Sequence, residues 1–559
     1  MNVSSWQFWD IAVVWTLVIL LSAVFIILLI SNMLIKAIKP LRKALIPAPV
    51  LGGFLLLIVF MVLKATLGNW EYQTEQMSAP VKLFGSEGSI QRAIELLTYH
   101  GLGIGFCASA LKNKPKKEGE KKERGVQKDI FNGSVMCVTG YLGQALLGIL
   151  VTVILFFCGL ITFPAAGVLL PMGFGQGPGQ ALNWGKQYEA YQLDANHMFT
   201  FAGGKDFALA IAAVGFIAAS VGGIIFLNWQ KHKKNPKILA RVEHLEVEPT
   251  VENFVSRNEI PDSGSIDKTT IQIGLVLLVY ALSFGLIWGI SALCDASGVA
   301  FLINTLKPLF WGFNFIIGTG VAVLVKTILN KLKEKGAIKR VYINNYMMDR
   351  ISGVAFDVMV VCAIAAIDLV AFTNVNFIVP LIVVCLVGTV GTYALCLFLA
   401  KKLYPTYWEE MFLVMFGMLT GTASTGVILL REIDPQFKTR ANNNMVFQTL
   451  YSVALGAPIL LCMSSIGTNW TQLIIWCSIF VVYFLVLMFL WPFILPAFKM
   501  LGYKAKLSSW KNKSKKDPEK AGPEPAKPEI HFGTFALGQT NAAAQPVEVV
   551  TEKQKTTTK

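Results

Sequence analysis

Long apolar runs constrain this chain more than any other feature of its sequence. The mostly apolar run at 11–35 exceeds the roughly 20 residues that a helix needs to cross a bilayer. Because lipid offers no hydrogen-bond partners, backbone within it must form helices or a closed barrel. Only 15% of the residues are charged and 54% are hydrophobic, whereas soluble domains carry about 25% charged residues. The sequence therefore predicts an all-α polytopic membrane protein.

The apolar runs give about eleven predicted transmembrane helices, ten of which form two halves. The first half has predicted spans at 11–35, 46–65, 90–111, 131–160 and 205–229, and the second at 270–294, 300–330, 350–371, 377–400 and 443–464. Five crossings are an odd number, so the second half must start from the opposite side, which predicts two inverted five-helix repeats. The predicted domains are a first repeat (1–229), a cytoplasmic linker (230–268), a second repeat (269–464), an extra transmembrane helix (465–498) and a disordered basic cytoplasmic tail (499–559).

Connections rich in lysine and arginine alternate with connections that almost lack them. Lys112–Lys128 and Lys326–Arg340 are basic, whereas Thr66–Ser89 and Ala190–Gly204 carry few or no basic residues. Since cytoplasmic loops carry the excess of lysine and arginine, this pattern predicts an outside N-terminus and a cytoplasmic C-terminus in a plasma or inner membrane. The formal net charge of +15 is explained by these loops, and we predict no nucleic-acid partner.

Each half contains one segment whose residues interrupt a helix. Pro171–Gly179 alternates glycine with proline inside a predicted broken segment at 163–185, and Gly417–Gly426 lies inside another at 408–431. Glycine and proline at such density do not sustain a helix. At membrane depth, broken backbone is tolerated only where it faces protein or a watery cavity. Two interrupted segments at corresponding places are typical of the binding site of a secondary transporter.

The predicted binding residues are those of the two interruptions. They are Gly175, Gln176, Gly177, Gly179, Gly421, Thr422, Ser424 and Thr425. The N–H groups at a helix start suit an anion, and the carbonyls at a helix end suit sodium. We expect sodium near Gly175, Gly177, Thr422 and Thr425, among backbone and hydroxyl oxygens. The alternative interpretation is close helix packing, which also favours small residues.

Three charged residues are further candidates, each with an ordinary alternative. Arg431 is a possible clamp for a substrate carboxylate, or extends to the cytoplasmic surface. Asp206 is a possible ion partner, or complements the dipole at the start of a span. Asp357 lies within a predicted span, where a carboxylate needs a partner, a cation or a water-filled path.

The sequence shows no catalytic constellation. It has no His-x-x-x-His pair, no serine nucleophile elbow and no Walker glycine loop. We therefore expect that the protein is not an enzyme and that it uses no cofactor, with sodium only as a coupling ion.

Three motifs together resemble one known family. Ile46-Pro-Ala-Pro-Val-Leu-Gly-Gly53, Gly175–Trp184 and Gly421–Gly426 are similar, in this order, to motifs of the bacterial sodium/glutamate symporter family. The chain departs from the family at Gln176, where members commonly have histidine, at Pro178, where they have threonine, and at Ser424, where they have proline. The extra helix and the tail have no counterpart in a typical member.

The resemblance implies a homodimer in the lipid bilayer that takes up glutamate with sodium by an elevator motion. It implies that the eight predicted binding residues surround the substrate and sodium. The departures leave a related dicarboxylate or another amino acid open as the substrate. Two further alternatives stay open, namely a proton-coupled or exchange carrier that uses Asp357 or Asp206, and a non-transporting membrane receptor or scaffold.

Overall fold

The structure is a computed structural model. It describes residues 12–68, 71–72, 81–82, 89–113, 124–191, 198–232, 267–299, 302–338, 340–434 and 439–490, all within one compact unit that ends at Trp491. The predicted tail (499–559) and most of the predicted linker (230–268) lie outside the described residues.

The described residues are almost entirely helical. The helices are α1 (Ala12–Ala37), α2 (Lys39–Lys43), α3 (Ala48–Leu67), α4 (Ile90–Leu111), α5 (Arg124–Phe157), α6 (Leu169–Phe174), α7 (Pro178–Ala190), α8 (Gly204–His232), α9 (Lys268–Ser297), α10 (Lys307–Gly312), α11 (Asn314–Glu334), α12 (Asn345–Ala365), α13 (Val375–Leu403), α14 (Trp408–Thr420), α15 (Ala423–Arg431), α16 (Ala441–Cys462) and α17 (Trp470–Leu485). Two-residue strands, β1 (Glu71–Tyr72) and β2 (Val81–Lys82), pair antiparallel with Glu71 opposite Lys82.

Nine helices within the described residues are long and apolar enough to cross a membrane. They are α1, α3, α4, α5, α8, α9, α11, α13 and α17. This part of the chain is therefore a polytopic membrane protein. The other two predicted spans, 350–371 and 443–464, fall largely on α12 and α16, which are also helical. Predicted span 350–371 extends past the end of α12 at Ala365.

The structure interrupts predicted span 300–330, which reads as continuous in the sequence. Helix α10 ends at Gly312, and Phe313, with φ −108° and ψ 33°, separates it from α11. The carbonyl of Gly312 accepts hydrogen bonds from the side-chain amides of Gln180 (3.4 Å) and Asn183 (3.1 Å) on α7. These side chains give the freed carbonyl the partners that lipid lacks.

Corresponding helices of the two halves pack in a reciprocal pattern. The third helices of the halves, α4 and α12, pack together, and so do the fourth helices, α5 and α13. The second helix of each half contacts the third of the other, as α3 contacts α12 and α11 contacts α4. The fifth helix of each half contacts the fourth of the other, as α16 contacts α5 and α8 contacts α13. Each contact between the halves thus has a counterpart in which the two halves exchange roles.

The segment that precedes α6 packs directly against α5. A 3₁₀ turn at Pro164–Val168 precedes α6, and a Cβ added to Gly167 would overlap the backbone of Gly148 on α5. The Thr152 hydroxyl donates to the carbonyl of Pro164 (2.7 Å) and accepts from the N–H of Gly167 (3.1 Å). Because the two backbones touch, only glycine fits at this contact.

We predict that Gly167→Ala lowers the free energy of unfolding by about 1–3 kcal/mol or more, since overpacking of a tight contact costs this much. Gly274→Ala on α9 is the matched control, because no atom lies within 4 Å of its added Cβ. Thermal unfolding of both variants in detergent is the measurement. Equal unfolding temperatures of Gly167→Ala and Gly274→Ala would contradict the close contact between Gly167 and Gly148.

Candidate functional site

The first helix break lies between α6 and α7. Helix α6 ends at Phe174, and α7 begins at Pro178 after Gly177, whose φ of +85° favours glycine. Pro178 suits the first turn of a helix because the N–H it lacks would have no partner there. The carbonyl of Pro171 accepts the N–H groups of both Gly175 and Gln176 at 3.0 Å, which closes the end of α6.

The second helix break lies between α14 and α15. Helix α14 ends at Thr420, and Gly421 adopts φ −142° and ψ −106°. Thr422 is the N-cap of α15, and its hydroxyl oxygen accepts from the N–H of Thr425 at 3.5 Å. The hydroxyl oxygens of Thr422 and Thr425 lie 3.3 Å apart. This break therefore gathers two hydroxyls beside an unwound backbone.

The two breaks meet each other. A Cβ added to Gly177 would lie 3.7 Å from Cγ2 of Thr422 and 3.9 Å from the carbonyl oxygen of Gly421. Both distances are ordinary van der Waals contacts. The unwound backbone of one broken segment thus faces the unwound backbone of the other.

One face of α5 supports both breaks. The hydroxyl of Tyr141 donates to the carbonyl of Gly175 at 3.2 Å. The side-chain amide of Gln144 donates to the carbonyl of Leu419 at 2.7 Å and to the hydroxyl of Thr392 at 3.0 Å. Residues three apart share a face of a helix, so the two side chains serve neighbouring breaks from one surface.

Helix α8 closes the site from another side. A Cβ on Gly215 would overlap the carbonyl oxygen of Thr420 and would lie 2.9 Å from the ring of Phe174. A Cβ on Gly421 would lie 3.1 Å from the ring of Phe216. Glycine at 215 therefore lets α8 contact the ends of both α6 and α14.

The structure brings most of the predicted binding residues to this meeting point. Gly177, Gly421 and Thr425 are buried there, and Gly175, Gln176 and Thr422 are half-buried. Ser424 is exposed on the first turn of α15. Gly179 instead packs against α4, since its added Cβ would lie 3.0 Å from the side chain of Leu102.

Asp206 and Arg431 lie away from the breaks. Asp206 precedes Gly215, which contacts both breaks, by nine residues, about 14 Å along α8. Arg431 is exposed at the end of α15, about 12 Å along the axis from Ala423. Asp357 is exposed on α12. Of the two readings of Arg431, its position at the far end of α15 favours the surface over the clamp.

Asp206 belongs to an ionic cluster that joins α4, α7 and α8. Its Oδ1 accepts the N–H of Asp368 at 2.9 Å and lies 3.7 Å from Nζ of Lys205. Glu95 of α4, whose side chain is 8% exposed, pairs with Lys186 of α7 and, at 3.2 Å, with Lys205 of α8. These carboxylates thus have basic partners without any ligand.

Sequence reasoning missed Tyr141 and Gln144. A lone glutamine inside the apolar span 131–160 is the signal that points to Gln144, because polar side chains at membrane depth need partners. Tyr141 gives no comparable signal, since tyrosine is common in helices that pack without any site.

The meeting point offers neutral groups to a ligand. Its residues carry no charged side chain, so an ion must be met by backbone groups, helix ends and hydroxyls. The described residues contain no group of three or more His, Cys, Asp or Glu that could hold a metal ion. The hydroxyls of Thr422 and Thr425 and the carbonyl of Gly421 are oxygen ligands of the type that a hard cation prefers.

No family model matches this chain, and a search of curated proteins finds no match to it.

We predict that Gln144→Met lowers the free energy of unfolding by about 1–3 kcal/mol, because the buried carbonyl of Leu419 loses its donor. Thermal unfolding in detergent is the measurement. The control is Gln472→Met on α17, where the half-buried side chain makes no hydrogen bond within the described residues. Unchanged stability of Gln144→Met would show that α5 does not support the second break.

Proposed function

We propose that this protein is a sodium-coupled secondary active symporter that imports glutamate or a related small anionic carboxylate. The observation that carries the proposal is the close approach of the two helix breaks, because a Cβ added to Gly177 would lie 3.7 Å from Thr422 and 3.9 Å from Gly421. Facing broken helices are the usual architecture of a substrate and ion site in secondary transporters.

The helix starts supply the anion-binding groups of the proposed site. No side chain caps α7 at Gly177, and the Thr422 cap of α15 is long, at 3.5 Å. The first N–H groups of these helices can therefore turn to a substrate carboxylate, which the helix dipole also attracts. Gln176, half-buried beside Gly177, adds a neutral donor and acceptor for the remainder of the substrate.

The helix ends and hydroxyls supply the proposed sodium ligands. The carbonyl of Gly421 and the hydroxyls of Thr422 and Thr425 come from the second break, and Gly175 and Gly177 add backbone from the first. Sodium that enters with an anion neutralises its charge. Two sodium ions per monoanion would add about 2.3 kcal/mol per 100 mV of membrane potential to the driving force.

The reciprocal packing of the two halves supports inverted repeats. Each half places its broken segment between its fourth and fifth helices, since α6 and α7 precede α8, and α14 and α15 precede α16. In an inverted repeat, equivalent elements enter from opposite sides and meet near the midplane. The meeting of the two breaks fits this geometry.

Alternating access in the proposed transporter uses two groups of helices. Helices α3, α4, α11 and α12 pack mainly with one another, whereas both broken segments pack on α5, α8 and α13. We assign the first group to a scaffold that dimerises and the second group to an elevator domain that carries the site.

The protein lies in the plasma or inner membrane with its N-terminus outside and its C-terminus in the cytoplasm.

We predict that proteoliposomes with the purified protein accumulate labelled glutamate when an inward sodium gradient is imposed. Thr425→Val removes a proposed sodium ligand without changing side-chain shape. The sodium concentration for half-maximal uptake should rise about tenfold or more, which corresponds to about 1.4 kcal/mol. Gln176→Ala should instead raise the half-maximal substrate concentration.

Thr327→Val on α11 is the control, because its exposed hydroxyl donates only to Val323 of its own helix, at 2.7 Å. Accumulation driven by a pH gradient without sodium would replace the symporter with a proton-coupled carrier. No uptake of any carboxylate by correctly inserted protein would favour a receptor or scaffold.

A further inference from the structure

A second polar cluster lies apart from the helix breaks, where the start of α5 meets α16 and the segment between α13 and α14. Its members are Asp129, Tyr404, Tyr407, Arg440, Asn444 and Gln448. The proposed transport cycle uses none of these side chains.

The two tyrosine hydroxyls and the amide of Asn444 donate to partners inside the cluster. Tyr404 donates to the carbonyl of Asp129 at 2.6 Å, and Tyr407 donates to Oδ2 of the same residue at 2.9 Å. The amide of Asn444 donates to the hydroxyl of Tyr407 at 2.9 Å. Arg440, which is 44% exposed, lies 3.7 Å from Oδ2 of Asp129.

Gln448 lies one helical turn from Asn444, above Gly133 of α5. A Cβ added to Gly133 would overlap Oε1 of Gln448 and would lie 3.2 Å from the hydroxyl of Tyr404. The amide nitrogen of Gln448 points the other way, to the sulfurs of Met415 (3.2 Å) and Met418 (3.5 Å) on α14. Its oxygen therefore lies against Gly133, on the side of the Tyr404 hydroxyl.

The cluster has a surplus of buried acceptors. Asn444 and Gln448 are 0% exposed, and neither Oδ1 of Asn444 nor Oε1 of Gln448 has a hydrogen-bond partner. A buried amide oxygen without a donor is costly at membrane depth. Both oxygens belong to a cluster that also contains the carboxylate of Asp129, so a positively charged ligand suits this cluster better than a neutral one.

We propose that Asn444 and Gln448 form a second sodium site, in which their amide oxygens bind the ion and Asp129 supplies negative charge. Hard monovalent and divalent cations favour carbonyl and carboxylate oxygens. The contact of Gln448 with Met418 places this site next to the last turn of α14, which ends at Thr420. Sodium bound here would stabilise the end of the second broken segment.

The test is thermal unfolding of the purified full chain in detergent, titrated with sodium chloride against choline chloride at constant ionic strength and mildly alkaline pH. A ligand that binds only the folded state raises stability with concentration. The background is Thr425→Val, so that the proposed sodium site at the breaks contributes little. We expect a sodium-dependent rise in unfolding temperature to persist in this background.

Two substitutions of Gln448 should move the sodium titration in opposite directions. Gln448→Met removes the ligand oxygen and should raise the half-maximal sodium concentration about tenfold or more, whereas Gln448→Glu adds charge and should lower it by a similar factor. A purely structural glutamine would not give opposite shifts. Asn444→Asp is the second charge-adding variant if Gln448→Glu fails to fold, and Gln472→Glu on α17 controls for added charge.

Three outcomes would overturn the second sodium site. One is the same sodium titration in all variants, and another is equal stabilisation by choline. The third is a Gln448→Met protein that is more stable than the parent and has an unchanged sodium titration. That result would indicate that the Gln448 oxygen binds water or only packs, and does not bind sodium. Because the readout is binding, these outcomes are independent of whether glutamate is transported.

Discussion

Support of both helix breaks by one face of α5 is the interaction on which the rest of the site depends. A break frees carbonyls that lipid cannot satisfy. Tyr141 and Gln144 supply donors to Gly175 and Leu419 at 3.2 and 2.7 Å. Because both donors stand on one rigid helix, they fix the separation of the breaks as well as their hydrogen bonding. The contact of Gly177 with Thr422 and Gly421 follows from this arrangement.

The sequence predicted the parts of the fold that local chemistry determines. Apolar runs located most helices to within a few residues, as at α1, predicted at 11–35 and observed at Ala12–Ala37. Glycine and proline located both breaks, because their backbone preferences are local. The break at Gly312 escaped prediction, since a single glycine in an apolar run is compatible with a continuous helix. Its hydrogen bonds come from α7, which no local pattern reports.

The difference between local preferences and tertiary contacts also explains which residues of the candidate site the sequence predicted. Gly177, Gly421, Thr422 and Thr425 were found because they cause or cap the breaks. Gln144 was missed because its role depends on tertiary packing against Leu419. Charge was a poor guide: Asp206 lies in the cluster with Lys205 rather than at the breaks. The meeting point offers neutral groups, and under the proposed function these would accept an anion and a cation together without a fixed charge to exclude either.

The pairing of Glu95 with Lys186 and Lys205 has a mechanical consequence. One carboxylate on α4 holds two ammonium groups from α7 and α8, so a slide of these helices past α4 by one turn, about 5.4 Å, separates both contacts at once. Glu95 would keep Arg92 of its own helix, at 3.1 Å, and Lys205 would keep Asp206, at 3.7 Å, so the slide costs less than the about 3–5 kcal/mol of leaving a buried charge unpaired. Such a cost is an energy barrier between two positions of α7 and α8 relative to α4, so these helices would rest at discrete positions. The barrier is lower if water readily hydrates the separated charges.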